Sequence, residues 1–172
     1  MPAASNGSAA VGNEEAPADF STVAPHSRRG VTIRPAMELN DLDPAMRLAI
    51  SVIQRCVAGQ GVELQQKVLV HYEPTLHRCH DNVREFVEKF PECKHVFGFL
   101  VAQRKLLDDT LVIAHSAVET PEGSLVDITP SESEFAYPFV RHVGTPEEFD
   151  LIAADPFMIE VPNSLVRQFA LK

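Results

Sequence analysis

A chain of 172 residues, 45% hydrophobic and 23% charged, has material for one globular domain with a sizeable core and excludes two large ones. Its net charge of -9, with no basic run to offset it, argues against nucleic acid and anionic membranes as partners. Three cysteines lack the number and spacing of a disulfide framework and are read as free thiols of a reducing compartment.

Residues 1–30 are rich in Ala, Ser, Gly and Pro and hold one aromatic, so they cannot bury enough apolar area to offset the entropy of ordering. The expectation is a disordered segment over 1–30 and a single α+β domain over 31–172. The basic pair Arg28 and Arg29 follows the weakly apolar part, the reverse of a secretory signal. No window approaches the roughly twenty apolar residues of a membrane span. A cytoplasmic location is expected, with export through the N-terminal segment as the alternative.

Val31 to Ile33 reads as a short strand ended by Pro35. A helix then starts at the Asp43 cap with Pro44 in its first position. Met46, Ala49, Ile50, Ile53, Cys56 and Val57 recur at helical steps until Gly59, which places Cys56 in the core. KVLVHY, over 67–72, is predicted as a strand ended by Pro74.

The next helix carries Leu76, Cys79, Val83, Phe86, Val87 and Phe90 on one face and is closed by Pro91. It has two candidate starts. With Thr75 as cap, Cys79 falls in the second turn; with Asp81 as cap, Cys79 sits just ahead of the helix, where unpaired amides lower a thiol's pKa. A cysteine on an apolar stripe also reads as ordinary core.

HVFGFLVAQ, TLVIAHSAVE and SLVDITP follow as three strands, predicting an antiparallel meander against the helices. The turn between the second and third decides the chemistry. If Pro121, Glu122 and Gly123 form the loop, Ala117 faces Asp127, and His115 projects from the same face one pair away. A shorter Glu122 and Gly123 turn sends the imidazole and the carboxylate to opposite faces. EFAYPFVRHVG then reads as an edge strand interrupted by Pro138, and Thr145, Pro146 and Glu148 as a capping-box start to a helix through Ala153. PFMIEVP is a last strand, and SLVRQFALK an amphipathic tail. His142 is a second candidate base.

The phrases RCHDNV, AHSAVE and LVDITP, with Gly98 on the strand between the first two, together resemble the core of the transglutaminase-like branch of papain-like cysteine enzymes. The resemblance covers about fifty residues. It differs from that pattern at Ala117, where an aromatic is usual, in its short His-to-Asp interval, and in lacking Trp. It implies an antiparallel sheet packed against two main helices, with Cys79 as nucleophile, His115 as general base and then acid, and Asp127 as the group that orients the imidazole. The chemistry expected is hydrolysis or acyl transfer at an amide of a protein, peptide or small molecule, with no cofactor. An oxyanion needs the Cys79 backbone amide and one further donor, for which Asn82, His80, Gln65 and Gln66 are candidates. Asn82 reads equally as a solvated helix residue. Two alternatives remain at this level: a zinc site drawn from His77, Cys79, His80, Cys93 and His95, and a noncatalytic binding module.

Overall fold

Asp43 opens the first helix as its sequence predicts: its carboxylate accepts from the Met46 N–H at 2.9 Å, ahead of α1, Pro44–Arg55. The computed structural model describes residues 37–67, 71–130, 136–153 and 158–170. The expected disordered segment 1–30, the strand at 31–33 and the middle of the strand at 67–72 lie outside them. The backbone widens after Arg55 into a looser turn over Cys56–Gln60, and Gly59, at φ 80°, ends it in a conformation glycine adopts without strain.

Among the described residues seven strands follow in chain order: β1 Val62–Glu63, β2 Gln65–Gln66, β3 Lys94–Arg104, β4 Asp109–Glu119, β5 Leu125–Asp127, β6 Pro138–Arg141 and β7 Met158–Pro162. Three helices accompany α1: α2 Cys79–Lys89, α3 Pro146–Ile152 and α4 Asn163–Leu165. The fold is mixed α+β. Its sheet runs β1-β6-β3-β4-β5-β2, with β7 also paired to β4. Because β1 pairs β6 at one edge and β2 pairs β5 at the other, with only Leu64 between them, the sheet is rolled until it nearly closes.

The meander β3-β4-β5 is antiparallel, as expected, whereas β2 joins β5 in parallel. β6 corrects the edge expectation: it lies between β3 and the short β1, and Pro138 is tolerated as its first residue. α3 carries the predicted capping box, the Glu148 N–H donating to Thr145 Oγ1 at 3.2 Å and the Thr145 N–H to Glu148 Oε2 at 2.8 Å.

Alternation along β4 divides the sheet into two faces. Val112, Ala114, Ser116 and Val118 share one. Val112 and Ala114 pack with Ile50 and Ile53 of α1, Phe99, Phe149 and the tail residues Val166 and Ala170. Val118 packs with Val83 and Phe86 of α2 and with Val126 and Ile128. The amphipathic tail therefore docks on the body. The other face presents His115 and Ala117, with Phe139 of β6 edge-on to the imidazole at 6.3 Å between ring centroids. Gly98 lies opposite His115, and a Cβ there would collide with the Phe139 ring and the Val140 carbonyl.

Candidate active site

The turn after β4 takes the three-residue form. Thr120 N–H donates to the Ser124 carbonyl at 2.9 Å and Val118 pairs Val126, which sets Ala117 opposite Asp127. His115 and Asp127 thus share a face, and His115 Nε2 lies 2.9 Å from Asp127 Oδ2. Both are buried, their side chains 10% and 12% exposed. The second carboxylate oxygen, Oδ1, accepts the Thr129 N–H at 2.9 Å. Each oxygen of Asp127 has its own donor, so the carboxylate cannot swing away from the ring.

Cys79 is the first residue of α2, a start intermediate between the two expected. Leu76 is exposed and precedes the helix. Arg78, the N-cap, offers no side-chain acceptor and bonds Asp81 instead, so the thiol sits beside first-turn amides that Arg78 does not cap. Asp81 is not the cap but the third helical residue, where its charge suits the positive end of the helix. His77, two residues ahead of the sulfur, holds φ 61°, a left-handed conformation that sharpens the entry into α2.

The strand pairing along one side of β4 is interrupted beside His115. β7 pairs β4 only as far as Ile113, and β5 begins at Val118. Between them, among the described residues, no strand pairs that side of residues 114–117. His115 and His80 both act on the Cys79 thiol through hydrogen bonding and charge. Since Asp127 occupies Nε2 of His115, Nδ1 is the nitrogen left for sulfur.

Burial alone would push the Cys79 thiol up, but hydrogen bonds and charge from His115 and His80 override it and bring it down to about 6. Burial would likewise pull His115 down, yet its hydrogen bonds to Asp127 and Cys79 lift it to about 9. Between those values sulfur and ring form a thiolate–imidazolium pair, a nucleophile beside a proton donor.

The other candidates separate. Asn82 is 3% exposed, not solvated. Its Oδ1 accepts the Thr75 N–H at 2.8 Å, and its Nδ2 donates to the Thr75 carbonyl at 2.7 Å and to Thr129 Oγ1 at 3.2 Å. With both amide hydrogens committed, it clamps the approach to Cys79 and has none left for an oxyanion. Gln66 donates to the Thr129 carbonyl at 2.6 Å, and Gln65 is exposed on β2. His80 stands beside the sulfur with Nδ1 2.7 Å from Ser116 Oγ. His142 lies against Phe99 and Phe149, and its buried Nε2 has no hydrogen-bond partner.

Among the described residues no group of three or more His, Cys, Asp or Glu side chains is arranged to hold a metal ion. Cys93 instead packs beside Val118 and Ile128 and lines a separate, mainly apolar pocket of about 180 Å³. No helix among the described residues is long and apolar enough to cross a membrane. The residues that sequence reasoning missed are Ser116, Thr129 and Phe139. Ser116 and Thr129 lie within the phrases AHSAVE and LVDITP without standing out there, Phe139 lies in neither, and each acquires its role only from the fold.

Comparison with protein-family models, curated proteins and solved structures finds no match to this chain. Fold and geometry together define an α+β protein in which an imidazole of β4 and a carboxylate of β5 are paired, and a thiol heads α2.

Proposed function

We propose that the protein is a cysteine-dependent hydrolase or acyl transferase acting on an amide, of the transglutaminase-like, papain-like kind. The observation that carries this reading is the 2.9 Å contact of His115 Nε2 with Asp127 Oδ2, with Cys79, its thiol pulled down by His115 and His80, at a helix N-terminus. The Cys79 thiolate attacks the acyl carbon, and the carbonyl electrons move to oxygen, beside the Cys79 backbone N–H. As the carbonyl reforms, the C–N bond breaks and His115 gives its proton to the departing amine. Water or a second amine then attacks the thioester, His115 takes the incoming proton, and sulfur leaves as thiolate. Asp127 holds the ring so that Nδ1 faces sulfur throughout.

An activated ester such as p-nitrophenyl acetate tests this on the full chain. One acetyl group on Cys79, located by peptide mass, with a burst of p-nitrophenolate that His115→Asn abolishes, is the expected result. Equal acetylation of Cys56, Cys79 and Cys93, unaffected by His115→Asn, would leave a noncatalytic module.

A further inference from the structure

Ser116 joins two imidazoles that the mechanism above leaves unused. It is fully buried on β4, and its Oγ lies 2.7 Å from His80 Nδ1 and 2.7 Å from His95 Nε2. Packing fixes both rings: His95 stacks on Phe97 at 3.9 Å between centroids, and His80 meets Phe149 of α3 edge-on at 5.5 Å.

A serine hydroxyl has one hydrogen and two lone pairs, so Ser116 donates to one ring at most and at least one ring must present an N–H to it. The tautomers of His80 and His95 are therefore linked. In one sense, His80 spends its hydrogen on Ser116 through Nδ1. In the other, His95 Nε2–H donates to Ser116, Ser116 donates to His80 Nδ1, and a neutral His80 keeps its hydrogen on Nε2. Only the second leaves neutral His80 an N–H for the sulfur.

We infer that Ser116 and His95 are positioning residues that hold the His80 ring with Nδ1 on Ser116, leaving Nε2–H to donate to the Cys79 sulfur. A second imidazole then acts on the same atom as His115, from the opposite side of β4. The inference rests on Cys79 being the nucleophile, and it divides the work: His115 moves the proton, while His80 donates a hydrogen bond to the sulfur. The groups that face this cluster are His115 of β4, backed by Asp127 of β5, together with Arg84 of α2 and Asp150 of α3, which both act on His95. Burial, with the charges of His80 and Arg84, pulls His95 down to about 4, so it remains a neutral ring across the working range.

The rate of Cys79 alkylation by iodoacetamide, followed against pH in the full chain, separates the alternatives. Ser116→Ala and His95→Leu are expected to raise the midpoint by about one unit, a roughly tenfold loss of thiolate below it. His95→Gln, whose amide can still donate to Ser116, is expected to stay near the parent value. If both disruptive variants keep the parent midpoint while His115→Asn moves it, the His80 inference is overturned and the catalytic reading stands. If His115→Asn also leaves it unmoved, both fall. Nitrogen chemical shifts of the parent protein give an answer independent of any variant's folding: a His80 ring protonated on Nε2 is expected, and one protonated on Nδ1 alone overturns the inference.

Discussion

His115 Nε2 and Asp127 Oδ2 meet at 2.9 Å across the β4–β5 hairpin, although Asp127 stands opposite Ala117 and one pair away from the histidine. The carboxylate reaches diagonally because its other oxygen is held by the Thr129 N–H. Asparagine at 127 retains one acceptor for two donors, so it must turn an NH₂ toward either the ring or the Thr129 amide. Asp127→Asn is expected to lower acyl transfer by about 10²–10⁴-fold while the protein remains folded. Single-turnover acylation and circular dichroism together check this.

Asn82 is predicted to matter for stability as well as for rate. Asn82→Ala removes three hydrogen bonds made by a buried side chain and releases the turn at Thr75 from α2. A loss of about 2–3 kcal/mol is expected, roughly 10 °C in Tm. Thermal unfolding measures the loss. Cys79 alkylation should slow as well, because the clamp fixes the turn that delivers the sulfur.

Gly98 is required for space, not for backbone freedom. A methyl group there meets the Phe139 ring and the Val140 carbonyl, and Phe139 in turn borders His115. Gly98→Ala is expected to cost about 1–3 kcal/mol in denaturant unfolding and to reduce Cys79 reactivity. Shortening the ring by Phe139→Leu in the same chain should recover part of both.

Much of this arrangement was legible in the sequence where a local rule governed it. The sequence reduced the β4–β5 turn to two forms, and the structure takes the Pro121, Glu122 and Gly123 form, whose register places His115 and Asp127 on one face. Asp43 and the Thr145–Glu148 box marked helix starts because capping is a short-range bond. The start of α2 escaped because no side chain caps it: the Asn82 clamp on Thr75 and the left-handed His77 set it through the folded core. The same limit hid the rolled sheet. β1 and β2 are two residues each, too short to show a period, yet they join its two edges. Ser116 looked like one small residue in an apolar strand, since its partners lie 36 and 21 positions away in the chain.

The pH dependence has a definite sign. The depressed Cys79 contributes to stability most fully above the ordinary thiol range and loses that contribution as pH falls through about 6. The raised His115 contributes most fully below the ordinary imidazole range and loses it as pH rises through about 9. Acyl transfer needs thiolate and imidazolium together, so its rate should form a bell with limbs near those two values. Cys56 and Cys93 are both pushed up by burial, and Cys93 also by Glu92 and Glu122. Labelling near neutral pH should therefore select Cys79 from the three thiols.

The most direct measurement is the midpoint of Cys79 alkylation against pH, in the parent protein and in His115→Asn. A midpoint near 6 that moves toward the ordinary thiol value of 9.0 in the variant is the predicted result. A parent midpoint already near 9, or one that His115→Asn leaves in place, would contradict the account.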